Sequence, residues 1–166
     1  SREAAEAAVA AIGKLGARAV AIPGDLAKHE DVERLVPACC AALGAPSCLV
    51  NNASEFQPDS VGSTTLESWN AHLDINLRAP VFLAQDLVRH LPERSEGNII
   101  NIIDQRVWKL TPEFFSYTLS KAGLWTATRT LAQALAPRVR VNAIGPGPVL
   151  KSIHQTDADF AAEVMS

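Results

Sequence analysis

The sequence predicts an α/β fold, a three-layer αβα sandwich built on a parallel sheet. Short apolar segments of strand length alternate with helical-period segments of ten or more residues. Connections of that length imply parallel strands joined by right-handed crossovers. The segment Ile99 to Ile103 is almost continuously apolar, as expected of a strand covered on both faces. With 166 residues, 48% hydrophobic and 20% charged, and no internal repeat, the chain fits a single domain over 1–166.

In order, residues 1 to about 15 carry an apolar stripe at Ala5, Val9, Ile12 and Leu15, a helix closed by Gly16. A strand is expected at Arg18 to Ile22, ending at Gly24-Asp25-Leu26. Val32, Leu35, Val36 and Cys39 give helical spacing from His29 to Leu43, with Pro37 expected to perturb that helix. Ser47 to Val50 is a short strand running into Asn51-Asn52, and Glu55 to Ser63 is a loop. A long helix is expected from Leu66 or Trp69 to His90, with a bend or break at Pro80. The strand at Ile99 to Ile103 follows. A helix then carries Tyr117 and Lys121 through Leu124, Thr128, Leu131 and Leu135 to Ala136, where Pro137 stops it. Arg138 to Ile144 is the last strand, and Lys151 to Ser166 reads as loop plus a short helix.

Composition narrows the function classes. A net charge of -3 and a pI near 5.8 give no electrostatic reason for a nucleic-acid partner. No apolar run approaches the roughly 18 residues of a membrane span, and the first residues lack a signal-peptide core, so a soluble, cytoplasmic protein without a membrane partner is expected. Cys39, Cys40 and Cys48 form neither a disulfide framework nor a metal-ligand spacing, and read as small buried thiols. No metal site is expected.

The chemistry concentrates between Asn98 and Lys121. Residues four apart on a helix share a face, so Tyr117 and Lys121 are expected to point into one site. A free phenol has a pKa of about 10. A nearby cation favours the phenolate and lowers that value, which suits Tyr117 to general acid or base work. Tyr117 is also the one tyrosine of the chain. Alone the pair is weak, since any amphipathic helix presents such a pair by accident. Its surroundings add weight: NNAS at Asn51 to Ser54, Asn76 within INLRAP, and GPGP at Gly145 to Pro148.

In that order these motifs resemble the short-chain dehydrogenase/reductases, over nearly the whole chain. The resemblance implies a Rossmann-type fold and a nicotinamide-dependent oxidoreductase. It also places Ser1-Arg2 just after the second strand of the family fold. The glycine-rich turn that holds the cofactor pyrophosphate is not in the sequence, so the first βαβ unit and the last strand are expected to lie outside it. In the usual strand order the missing pair would sit between the strands at 18–22 and 48–51. Such a piece would expose apolar faces and two strand edges and is expected not to fold stably alone.

The resemblance assigns roles by position. Asp25 and Leu26 meet the adenine, although Asp25 also reads as a cap of the following helix. Asn52, Ala53 and Ser54 lie beside the cofactor ribose, or form a plain turn. Pro146-Gly147 shapes the nicotinamide pocket, Lys121 holds the ribose and biases Tyr117, and Asn76 keeps a hydrated proton path. Arg2 pairs with a 2'-phosphate, favouring NADP(H) over NAD(H). The departure is Asp104. Most of the family has serine thirteen residues before the tyrosine, where it polarises a carbonyl. An ionised Asp104 would oppose phenol deprotonation and repel an alkoxide. The pteridine reductase branch carries Asp here, and its NNASEF-like segment places the residue matching Phe56 against the pterin ring. The implied function is NADP-dependent reduction of a pteridine or dihydrofolate-like small molecule through Asp104, Tyr117 and Lys121. Two alternatives stand beside it: a general carbonyl or alcohol oxidoreductase, and a catalytically silent nucleotide-binding homologue. Relatives assemble as dimers or tetramers, so a homo-oligomer is expected.

Overall fold

A computed structural model describes residues 1–149 and 156–164. The elements are α1 (Arg2–Lys14), α2 (His29–Leu43), β1 (Cys48–Asn51), α3 (Leu66–Leu73), a π-turn (Asp74–Arg78), α4 (Ala79–His90), β2 (Gly97–Ile102), a 3-10 turn (Gln105–Val107), α5 (Phe115–Leu135), β3 (Val139–Ile144) and α6 (Asp157–Val164). Among the described residues the sheet runs β1-β2-β3, all parallel, with Leu49 opposite Ile99 and Ile99 opposite Val141. This is the parallel α/β, Rossmann-type arrangement that the sequence predicts.

The core lies on one face of the sheet. Ala84, Leu87 and Leu91 of α4 close over Ile99, Val139 and Val141, with Leu131 and Leu135 of α5 packed alongside. A fully buried leucine or isoleucine such as Leu87 or Ile99 contributes about 1.5–3 kcal/mol through this burial. A second cluster joins Val32 and Val36 of α2 to Ala79 and Leu83 of α4. On the other face Val50 and Ile144 are each 53% exposed, in keeping with the expected bare apolar surface.

Several expectations are corrected. Residues 18–22 form no strand. Val20 is 43% exposed, and no neighbouring strand offers a ladder to this segment, whose extended backbone therefore stays unpaired. Helix α2 runs on through Pro37, which lies on its exposed face and leaves the Glu33 carbonyl without its intrahelical partner. Cys48 is exposed and Cys39 and Cys40 are half-buried, Cys40 against the α2/α4 cluster, so none is the fully buried thiol expected. Residues 150–155 and 165–166 of the expected tail lie outside the described residues, and the short helix appears as α6.

The bend expected at Pro80 takes the form of the π-turn. Pro80 has no N–H to give to the carbonyl of Asn76, and its ring crowds that carbonyl. The chain widens instead, and Ala79 N–H donates to Asp74 O. The widened turn directs Asn76 inward, where it is fully buried.

Candidate active site

The site forms where β1 and β2 end and α5 begins, at the carboxyl edge of the sheet, the edge at which open α/β sheets take their ligands. Three polar groups brace this edge from below. Asn51 Nδ2 donates to Asn101 Oδ1 at 2.8 Å, and Asn101 Nδ2 to Thr128 Oγ1 at 2.8 Å, tying β1 to β2 and β2 to α5 through buried side chains. Neither Asn101 nor Thr128 stood out in the sequence.

Tyr117 and Lys121 share one face of α5, as their spacing predicts, and both are buried. The Tyr117 hydroxyl donates to Asp104 Oδ2 at 2.8 Å. Asp104 follows the end of β2 and caps the 3-10 turn through Arg106 N–H, 2.8 Å from Oδ1. Lys121 Nζ donates to the carbonyl of Ile102 at 2.9 Å and lies 5.8 Å from the Tyr117 ring centroid. Carboxylate, phenol and ammonium therefore converge.

Their electrostatics differ from the sequence expectation in one respect. Burial, then the charge of Asp104 and its hydrogen bond, push the Tyr117 phenol well above its ordinary value, and the opposing effects of Arg106 and the Ser54 hydroxyl are smaller. The expected lowering by Lys121 is absent, because the ammonium is anchored to a strand-end carbonyl rather than to the phenol. Burial pushes Lys121 down to about 8 against the pull of Asp104. The carboxylate opposes phenol ionisation, as its position suggested.

The remaining predicted residues fall as follows. Asn76 donates to Glu55 O at 2.9 Å and Ser120 Oγ at 3.0 Å and accepts from Glu55 N–H at 2.8 Å, so it clamps the segment after β1 to α5. Asn52, Ala53 and Ser54 are exposed beside that clamp, and Ser54 is the member that reaches the phenol. Phe56 stacks on Phe114 at 4.5 Å and meets Tyr117 edge-on at 4.7 Å. Pro146 O receives Gln105 N–H at 3.4 Å, and a Cβ on Gly147 would lie 3.6 Å from Gln105 Oε1, so this turn sits against the 3-10 turn after Asp104. Asp25 is exposed; its Oδ1 accepts Ala27 N–H at 3.0 Å, while Lys28, the residue that precedes α2, makes no side-chain capping bond. Leu26 packs against the α2/α4 cluster. Arg2 lies on the first turn of α1, highly exposed and paired with Glu6 at 2.7 Å.

Arg106 and Phe114 were not anticipated. The Arg106 guanidinium lies 3.5 Å from Asp104 Oδ2 and 5.0 Å and 5.6 Å from the Phe114 and Phe56 ring centroids. Phe114 holds a left-handed backbone, φ 57 and ψ 45, uncommon for a bulky residue. An Asp followed two residues later by Arg was the available signal for the first. A left-handed phenylalanine leaves none.

These residues fit a nicotinamide nucleotide. The buried Lys121 ammonium has three N–H groups and one acceptor, Ile102 O, among the described residues, leaving donors for ribose hydroxyls. Ala53, Ser54 and Gly147 are exposed, and the Ser54 hydroxyl reaches the Tyr117 phenol. Among the described residues no group of His, Cys, Asp and Glu is arranged to hold a metal ion, and no helix is long and apolar enough to cross a membrane.

Comparison with known proteins identifies the family. The short chain dehydrogenase family matches residues 1–160. A Brucella suis protein described as FolM alternative dihydrofolate reductase 1, solved in complex with NADP, is 51% identical, with a TM-score of 0.93 over 99% of this chain and 66% of that one. The probable galactose dehydrogenase GalD of Rhizobium meliloti is 34% identical over 89% of this chain and 59% of its own length. The human dehydrogenase/reductase SDR family member 4 is 36% identical over 75% of this chain and 46% of its own. The chain thus spans about half to two-thirds of the length of these relatives. Profile, relatives and the Tyr117/Lys121 geometry agree that the chain belongs to the short-chain dehydrogenase family.

Proposed function

We propose that the protein containing this chain is an NADP-dependent reductase of a pteridine or dihydrofolate-like substrate. The observation that carries this reading is the 2.8 Å hydrogen bond from Tyr117 to Asp104, at the position where most of the family has serine. A carboxylate beside the phenol opposes alkoxide formation but suits proton delivery to a ring nitrogen. The name and bound NADP of the 51% identical Brucella protein support the same choice.

NADPH, when bound, supplies the hydride. The Tyr117 proton passes to the Asp104 carboxylate, which gives it on to the ring nitrogen beside the carbon that accepts the hydride, and solvent then restores the proton to Tyr117. The raised phenol pKa keeps the proton on Tyr117 until it is drawn off. Lys121, anchored to Ile102 O, directs its remaining donors to the nicotinamide ribose, beside Asn52, Ala53 and Ser54. Asn76 fixes the backbone at Glu55 and hence the Phe56 ring, against which a planar heterocycle packs. Pro146-Gly147 borders the nicotinamide, and Asp25 with Leu26 the adenine.

Mixing the full-length protein with NADPH and a dihydropterin, dihydrofolate or simple ketones, and following nicotinamide absorbance, tests the reading. Turnover of the first two supports it. Turnover of ketones alone favours a general carbonyl reductase, and cofactor binding without turnover a silent homologue. Arg2, solvent-exposed and paired with Glu6 on its own helix, is assigned to the 2'-phosphate. Arg2→Ala is expected to raise KM for NADPH about 10-fold, the loss of one charge-assisted contact, and to leave KM for NADH unchanged.

A further inference from the structure

Helix α5, which carries Tyr117, begins without a cap of its own: Phe114 precedes it in a left-handed conformation and makes no side-chain capping bond. The first N–H groups of a helix need acceptors from elsewhere. Asp59, 57 residues away in sequence, provides them. Its main-chain oxygen accepts Phe115 N–H at 3.3 Å, its Oδ1 accepts Ser116 N–H at 3.1 Å, and its Oδ2 accepts the Ser116 hydroxyl. A carboxylate at this end also complements the helix dipole. Burial works to raise the Asp59 carboxyl, but the hydrogen bonds from Ser116 and Thr64 hold it below its usual value.

The Ser116 proton is committed to Asp59, so Ser116 Oγ can only accept from His72 Nδ1, 2.7 Å away. At the other side of the imidazole, Gln57 N–H donates to Nε2 at 3.0 Å. One neutral tautomer, protonated on Nδ1, satisfies all these groups, and an imidazolium would confront the Gln57 N–H. Burial keeps the imidazole neutral by pushing its pKa down, with the charges of Asp59 and Glu55 opposing. His72 and Ser116 are fully buried and Asp59 is 8% exposed.

The segment after β1 is thereby held at alternate residues: Glu55 by Asn76, Gln57 by His72 and Asp59 by Ser116. Phe56, between the first two, turns its ring to Phe114 and Tyr117. We propose that Asp59, His72 and Ser116 are positioning residues, a buried relay that locks the Tyr117 helix to the Phe56 segment and so sets the proton-transfer geometry. The proposal rests on the reading of Tyr117 as the proton donor.

The test uses the full-length protein with Asp59→Asn, His72→Phe and His72→Gln. In Asp59→Asn the Ser116 hydroxyl faces an amide donor and its own proton loses its acceptor; redirecting that proton to His72 Nδ1 moves the imidazole proton to Nε2 and leaves Gln57 N–H without its acceptor. Asp59→Asn and His72→Phe are expected to lower kcat by about 10- to 100-fold, the cost of misplacing reacting groups by about 1 Å. The NADPH dissociation constant should stay within twofold. His72→Gln, whose amide offers an acceptor and a donor at imidazole-like spacing, should recover most of the kcat. Nitrogen-15 shifts should show His72 protonated on Nδ1 in the wild type and altered in Asp59→Asn. Unchanged kcat and KM well below the melting temperature would make the network merely structural and overturn the proposal, as would a wild-type His72 protonated on Nε2. If His72→Phe does not fold, Asp59→Asn decides. A wild type that reduces ketones but no dihydropterin overturns the substrate reading alone, and the same comparisons on the ketone then decide the network. Silence with every substrate removes both.

Discussion

Tyr117→Phe is expected to lower kcat for dihydropterin reduction by roughly 10²- to 10⁴-fold, the usual contribution of a positioned general acid. The phenyl ring keeps its edge-on contact with Phe56 and its place on the buried face of α5, so packing is preserved. What disappears is the hydrogen bond to Asp104 and the proton that replenishes it. Because the loss falls on proton transfer, NADPH affinity should change less than twofold, measured by quenching or enhancement of nicotinamide fluorescence. Equal falls in kcat and kcat/KM would mark an interaction made only in the transition state.

Lys121→Met is expected to separate activity from stability. The ammonium is 2% exposed with a pKa near 8 instead of 10.5, so the fold disfavours its charge. Below pH 8 both folded and unfolded chains carry the proton and the full cost is present. Between pH 8 and 10.5 the unfolded chain binds more protons, so the contribution of this group to stability rises with pH through that window. The shift from 10.5 to about 8 corresponds to roughly 3 kcal/mol. Met fills similar volume without charge, while the Ile102 carbonyl loses its partner at about 1–2 kcal/mol. The cofactor-free variant should therefore gain about 1–2 kcal/mol at pH 7, read as a higher urea midpoint at unchanged slope. Activity should fall at least 10²-fold, since the donor that positions the nicotinamide ribose is lost.

The sequence made some of this site legible and hid the rest for physical reasons. Tyr117 and Lys121 were readable because helical periodicity alone puts them on one face, and Asp104 because it stands where relatives carry serine. Helix α2 and the strands β1, β2 and β3 followed from local apolar patterns. The segment at 18–22 has the pattern of a strand but no partner to pair with, since strand formation is a property of neighbours. Asp59, His72 and Ser116 were invisible because their bonds join residues 44 and 57 positions apart, and nothing local distinguishes a capping carboxylate from a loop aspartate. The sign of the Tyr117 shift was misjudged for a related reason. Spacing brings the ammonium near, but burial and the carboxylate, both set by tertiary packing, outweigh it.

The claim on which the account turns is that Asp104 takes its proton from Tyr117 and passes it to a ring nitrogen. Asp104→Ser in the full-length protein, assayed with NADPH against a dihydropterin and a simple ketone, addresses it directly. The expected result is that kcat/KM for the dihydropterin falls by about 10²-fold or more while that for the ketone rises, as the hydroxyl replaces a repelling carboxylate. Dihydropterin reduction that survives the substitution undiminished would contradict it.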